Sequence, residues 1–170
     1  MSSVRSIRVL VVDDEPSICV VSKGFLEESK DIEVEIAYSA SKARTALDHG
    51  HFDAIVCDYQ MPDEDGIQFL KWLRWKGLRI PFIIFTCRGM EEVVIEALNN
   101  GADSYLQKGG ESRTQYVELE CRIRAAVQQH RREEALWESE LRFDQLAALS
   151  GTVTWEADGD GLFTFVSSVS

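Results

Sequence analysis

At 170 residues the chain has room for one full domain and a piece of another, at roughly 100 to 200 residues per domain. Apolar residues make up 45%, enough for a packed core, and 18 basic against 29 acidic residues leave a net charge of −11. That field disfavours non-specific binding to nucleic acid or to an anionic membrane, and no stretch reaches the roughly 18 consecutive apolar residues of a membrane span.

The cysteines, Cys19, Cys57, Cys87 and Cys121, are far apart and form no CxxC pair. Three lie in or beside apolar runs, as buried thiols do, so a reducing, intracellular and hence cytoplasmic setting is expected. The N-terminus does not read as a secretory segment, because Arg5 and Arg8 interrupt it and acids follow.

In chain order, Ile7 to Val12 is an apolar run ending in Asp13-Asp14-Glu15 and then Pro16, and it reads as a buried strand. Glu15-Pro16-Ser17 opens a helix, with proline tolerated in the first turn, and Ile18, Val21, Phe25 and Leu26 would form its buried stripe. Glu33 to Tyr38 sets Val34, Ile36 and Tyr38 in alternation with Glu33, Glu35 and Ala37, a strand pattern. Ser39-Ala40-Ser41 supplies cap residues for a helix carrying Ala43, Ala46 and Leu47, which Gly50 ends.

Phe52 to Asp58, read as FDAIVCD, is the next strand, and the turn-rich Tyr59 to Gly66 follows it. Asp65-Gly66 opens a helix with Ile67, Leu70, Leu73 and Trp72 on its apolar face, closed by Gly77. After Pro81, Phe82 to Phe85 is apolar throughout, as in parallel strands covered on both sides, and runs into Thr86. Glu91 and Glu92 favour a helix start, with Val94, Ala97 and Leu98 inward and Asn99-Asn100-Gly101 at its end. Ser104 to Leu106 is a short strand leading to Lys108, and a last helix from about Thr114 offers Val117, Leu119, Ile123, Ala126 and Val127 for packing.

Strand then helix, five times over, predicts an α/β fold: a doubly wound five-stranded parallel sheet with helices on both faces. Ligands of such sheets bind outside the carboxyl ends of the strands. Asp13, Asp14, Asp58, Thr86 and Lys108 all fall there. Taken singly, Asp58 fits an ordinary turn and Lys108 a solvated lysine. Several strand ends sharing one chemical theme argue for a site.

Asp13, Asp14 and Asp58 bring like charges together, which a cation or protons must offset. An all-oxygen set suits Mg2+, with Mn2+ as substitute. Asp14 and Asp58 are assigned as direct ligands, the Gln60 main-chain carbonyl as a third, and Asp13 as an outer-shell partner. Asp58 can also be a nucleophile, since aspartates form aspartyl phosphates. Lys108 would neutralise phosphoryl oxygens and Thr86 would donate its hydroxyl to one.

With the VVDDE acidic pair, Asp58 ahead of MPDEDG, Thr86 after the fourth strand and Lys108 after the fifth, the chain resembles the receiver domain of two-component response regulators from about Ser6 to His130. The resemblance implies the flavodoxin-like strand order 2-1-3-4-5. It also implies that Asp58 takes a phosphoryl group from a phosphohistidine on a histidine kinase or histidine phosphotransfer protein, with Mg2+ required. Self-catalysed phosphorylation and dephosphorylation would be its only chemistry, so the domain is not expected to be a conventional enzyme. A switch is implied too: Thr86 turns toward the phosphoryl group, Tyr105 moves inward, and the face of the fourth helix, fifth strand and fifth helix changes. Two departures stand out. Gly109-Gly110 follows Lys108, where the family commonly has proline, and Arg88-Gly89 replaces small residues near Thr86.

Domain boundaries are expected at 1-130 for the receiver, 131-150 for a linker helix and 151-170 for a partial PAS-like hairpin or a disordered tail. From Gln128 the apolar positions thin to Ala135, Leu136, Trp137 and Leu141, and the seven-residue spacing of Leu136 and Phe143 hints at a homodimer. Two strands, Thr152 to Glu156 and Leu162 to Val166, flank the hairpin signal Asp158-Gly159-Asp160-Gly161. The last 28 or so residues resemble the opening of a PAS sensor domain, so the chain is expected to be the amino-terminal part of a larger sensor or kinase, with downstream segments as partners. Neither nucleic acid nor a membrane is an expected partner of this part. Two readings compete with the phosphoacceptor: a phosphorylation-independent interaction or dimerisation module, and a small Mg2+-dependent phosphatase, which would need a second acid where Gln60 stands.

Overall fold

In the computed structural model, residues 6–87, 91–109, 112–150, 154–157 and 163–167 are described, the side chains only as far as 146 and without that of Ser112. The chain divides into two compact units, Met1–His130 and Arg131–Ser170.

The first unit alternates β1 (Ile7–Val12), α1 (Pro16–Leu26), β2 (Ile32–Ala37), α2 (Ala40–His49), β3 (Ala54–Cys57), α3 (Gly66–Trp75), β4 (Phe82–Thr86), α4 (Glu91–Asn99) and β5 (Ser104–Gln107), and enters α5 (Ser112–Ser150). The sheet order is β2-β1-β3-β4-β5 and every pairing is parallel. The predicted architecture and strand order are therefore present. Alternation along each strand feeds two cores. Leu10, Val12, Ile55, Cys57, Phe82 and Ile84 point to the face covered by α2, α3 and α4. Val9, Val11, Ala54, Val56, Ile83 and Phe85 point to the face covered by α1 and α5.

Helix faces differ in detail from the sequence expectation. In α1, Val21 is exposed, and the residues turned to the sheet are Cys19, Ser22 and Leu26. Two of these are polar but satisfied: Cys19 Sγ donates to the Asp13 carbonyl and Ser22 Oγ to the Tyr116 hydroxyl. In α3, Phe69 joins Ile67, Leu70 and Leu73 in full burial. In α4, Val93 and Ala97 face inward while Leu98 is exposed. In α5, Tyr116, Leu119, Ile123 and Val127 form the buried stripe and Val117 is exposed. Tyr116 stacks on Phe25 and meets Phe85 edge-on.

At the amino end of the sheet, three aspartates each stand one residue before a strand. Asp53 Oδ2 accepts from the Arg8 N–H at 2.9 Å, and Asp103 Oδ2 accepts from the Phe82 N–H at 2.7 Å. Asp31 accepts both terminal nitrogens of Arg124 on α5, at 2.7 and 2.8 Å. That hydrogen-bonded pair holds the Asp31 carboxyl below its ordinary range.

Beyond His130, the large apolar residues of α5 that are described, Leu136, Trp137, Leu141, Phe143 and Leu146, are exposed. Strands β6 (Thr154–Ala157) and β7 (Phe163–Ser167) pair antiparallel, as the hairpin reading expects, with an irregularity between Glu156 and Ala157. The predicted Asp158-Gly159-Asp160-Gly161 turn lies outside the described residues. No described helix is long and apolar enough to cross a membrane.

Candidate functional site

The sheet register assembles the site. Val12 is paired with Cys57, so the next residues, Asp13 and Asp58, emerge on adjacent strands. Their backbones continue the ladder for one more step, with Asp58 N–H donating to the Val12 carbonyl at 2.8 Å and Asp13 N–H to the Ala37 carbonyl at 3.1 Å. On the other side, Thr86 is paired with Gln107, and Lys108 N–H donates to the Thr86 carbonyl at 2.7 Å. Strand pairing thus brings together Asp13, Asp58, Thr86 and Lys108, as the sequence predicts.

Lys108 Nζ lies 2.5 Å from Asp13 Oδ2 and 3.1 Å from Asp58 Oδ1, and all three side chains are at most 10% exposed. Its ammonium also sits over the Phe85 ring, 5.5 Å from the centroid. Burial by itself pulls the lysine pKa down, but the hydrogen bond that the ammonium donates to Asp13 and the charges of Asp58 and Asp13 outweigh it, so the net displacement is upward and Lys108 stays charged. Asp13 Oδ1 accepts from the Glu15 N–H at 2.9 Å. Asp58 Oδ1 differs: its contact is the 3.1 Å ion pair with the Lys108 ammonium.

Asp14 is exposed at the rim, and one carboxylate oxygen from each of Asp13, Asp14 and Asp58 lies within 4.8 Å of the others. One ammonium contacts two of these three carboxylates, Asp13 and Asp58. This all-oxygen set fits a hard divalent cation. Asp14 and Asp58 have oxygens to spare, whereas Asp13 is already engaged by Lys108 and the Glu15 N–H. A cleft of 670 Å³ opens over the cluster and is also lined by Gln60, Met61, Thr86 and Cys87. Thr86 is buried and Gln60 exposed. Tyr105 is half-buried against the core beneath α3 and α4, and burial raises its phenol pKa.

The loop from Tyr59 to Asp65 is tightly constrained. A Cβ on Gly66 would stand 2.3 Å from the Asp58 carbonyl oxygen, so only glycine lets α3 start this close to the strand end. Asp65 caps α3 in a reciprocal capping box with Gln68. Between them, Glu64 N–H donates to the Pro62 carbonyl at 2.8 Å across Asp63, whose φ is +69°. A three-residue γ-turn with positive φ is the rare and strained form. Glu64 in turn meets Arg44 of α2 at 2.5 Å.

After Lys108, Gly109 has φ +136° and its N–H donates to Gln115 Oε1 at 3.1 Å. Proline could supply neither that angle nor that donor. The glycine anchors a different turn from the one proline would make, and Lys108 is firmly held nonetheless. Gly110 and Arg88-Gly89 lie outside the described residues.

The thiols beside the acids were not singled out from sequence. Cys19 donates to the Asp13 carbonyl at 3.3 Å and Cys57 to the Asp58 carbonyl at 3.2 Å. Burial, reinforced by the nearby carboxylates, pushes Cys19 up to about 11 and Cys57 well up, so both stay protonated. All four cysteines are free, with Cys87 and Cys121 exposed.

Known proteins place this arrangement. The response regulator receiver domain family matches residues 9–118. Response regulator Rre1 of Synechocystis sp. is 36% identical over 104 residues, 60% of this chain and 45% of that protein. Transcriptional regulatory protein BasR of Escherichia coli is 31% identical over 123 residues, 72% of this chain and 53% of that protein. The chain spans about half the length of these curated relatives. Among solved structures, the Francisella response regulator 1452 receiver domain aligns at a TM-score of 0.67 with 32% identity, covering 74% of this chain and 99% of that one. The response regulator domain of Thermotoga maritima CheB aligns at 0.67 with 32% identity, covering 73% and 98%. The strand ends, the buried lysine and the family match converge: the chain belongs to the response regulator receiver domain family.

Proposed function

We propose that this chain is a phosphoacceptor signalling module in which Asp58 takes a phosphoryl group from a phosphohistidine of a histidine kinase or histidine phosphotransfer protein. The observation that carries the reading is Asp58 at a strand end, 3.1 Å from the Lys108 ammonium and with carboxylate oxygens of Asp13 and Asp14 within 4.8 Å of its own. In the transfer, an Asp58 carboxylate oxygen bonds to phosphorus as the P–N bond breaks, and the imidazole nitrogen leaves with the electron pair and takes up a proton. Lys108 meets the developing charge on the phosphoryl oxygens, and the Thr86 hydroxyl donates to one of them. Asp14, Asp58 and the Gln60 main-chain carbonyl would hold Mg2+, or Mn2+ in its place, with Asp13 in the outer shell. When bound, the cation neutralises charge on the donor's phosphoryl group. The only chemistry is the domain's own phosphorylation and dephosphorylation.

The added charge then biases a two-state element. Thr86 turns inward, Tyr105 follows, and the α4-β5-α5 surface presents a new face. Within this reading, residues 1-130 are the receiver, 131-150 a linker helix and 151-170 a partial PAS-like hairpin, of which the antiparallel β6-β7 pair supports the hairpin. Downstream sensor or kinase segments and a second copy of the chain are its partners, and the four free thiols fit a cytoplasmic setting.

The test is intact mass after incubation with acetyl phosphate and Mg2+, beside Asp58→Ala. One phosphoryl adduct that needs both Asp58 and the cation supports the reading. Folded protein that takes none from acetyl phosphate or from a phosphorylated kinase or phosphotransfer protein overturns it and leaves an interaction module.

A further inference from the structure

The β3-α3 loop carries Gln60 to the cleft, yet its centre is the strained turn at Asp63. A non-glycine residue at φ +69° persists only where the surroundings over-determine it. On the C-terminal side, Asp65 and Gly66 are fixed by the α3 cap and by the 2.9 Å hydrogen bond from Gly66 N–H to the Tyr59 carbonyl. On the N-terminal side, Met61 is buried in the core. Inside the turn itself the side chain that is gripped is Glu64, and its grip is Arg44.

Arg44 is unusually well placed for this. Its guanidinium lies 4.6 Å from the Trp72 ring centroid and 5.8 Å from that of Phe69, stacked against α3 while anchored on α2. Its Nε is buried with no acceptor, and a terminal nitrogen is spent on Glu64. A flat cation held on rings presents its remaining donors in fixed directions.

We propose that Arg44 is a positioning residue for the metal site: through Glu64 it holds the strained turn so that the Gln60 main-chain carbonyl faces the Asp14–Asp58 carboxylates. The inference rests on the Mg2+ reading of that site. Without the Arg44–Glu64 contact, the turn relaxes toward negative φ, the loop swings, and the third protein ligand leaves the cleft.

Charge and position predict opposite signs, which makes the experiment sharp. Arg44 is a cation near a cation site, so by charge alone Arg44→Gln would strengthen Mg2+ binding, whereas loss of the latch weakens it. Titration of Mg2+ into the 170-residue protein by calorimetry, with Mn2+ paramagnetic resonance as a second readout, should show both R44Q and E64Q binding about tenfold more weakly, the low end for residues that support metal ligands. At saturating Mg2+ both should still take the phosphoryl group from acetyl phosphate. Asp63→Gly makes positive φ free of strain, so E64Q combined with D63G should recover most of the lost affinity, although it removes a further negative charge.

Arg44→Gln that folds and binds Mg2+ as well as or better than the parent overturns the proposal. So does a further loss of affinity when D63G is added to E64Q. E64Q leaves Arg44 on its rings, and its rescue by D63G, which runs against the loss of charge, carries the test if R44Q does not fold. A parent chain that binds no Mg2+ at all removes the site reading itself, whereas a parent that binds and variants that do not differ remove only the role of Arg44.

Discussion

Aspartates stand at both ends of the sheet, and the fold treats them oppositely. Asp31, Asp53 and Asp103 precede strands, and each is consumed by a donor that the fold supplies: a guanidinium for Asp31 and main-chain N–H groups for the other two. Asp13, Asp14 and Asp58 follow strands and converge, three carboxylates of which two contact a single ammonium. The carboxylates proposed to act are those the fold gathers as like charges, at a cost to local stability.

That contrast predicts different signs for similar substitutions. The largest effect should come from Lys108→Ala, which leaves buried carboxylates without their counter-charge and should cost about 3–5 kcal/mol in denaturant melts without divalent cation. Asp103→Ala strands the Phe82 N–H and should cost about 1–3 kcal/mol while leaving phosphoryl uptake intact. Asp58→Asn should do the reverse, abolishing uptake while raising the melting midpoint, by about 1 kcal/mol, because it relieves repulsion among like charges. Equal destabilisation by Asp103→Ala and Asp58→Asn would erase the distinction between the ends.

The smallest effect is a pH dependence at the amino end. Arg124 holds the Asp31 carboxyl below the ordinary aspartate value of 3.8. A depressed pKa gives stability that is present above that value and lost as pH falls through the folded one. Melting curves of the parent and Asp31→Asn should therefore differ near neutrality and converge in acid.

Much of the site was legible because strand ends are: apolar runs that stop at Asp13, Asp58, Thr86 and Lys108 need only the parallel register to bring them together. Helix faces were less so. A period of 3.6 allows neighbouring stripes, and Val21, Val117 and Leu98 were placed inward because they are apolar. The stripes actually buried use Cys19, Ser22 and Tyr116, whose polar atoms find partners on other elements. The amino-end aspartates and the Arg44–Glu64 contact were not legible at all. Each joins residues 20 or more positions apart, through directions that only the packed helices and paired strands define.

The two buried thiols have a practical consequence. Cys19 and Cys57 lie against the carbonyls of Asp13 and Asp58, while Cys87 and Cys121 face solvent. An alkylating reagent should therefore mark a closed molecule twice, and a third or fourth mark records that the carboxyl end of the sheet has come apart. When labelling outpaces reclosing, the rate at which those later marks accumulate times the opening of this region. The protein thus carries its own stopwatch beside the residue on which its signalling is proposed to depend.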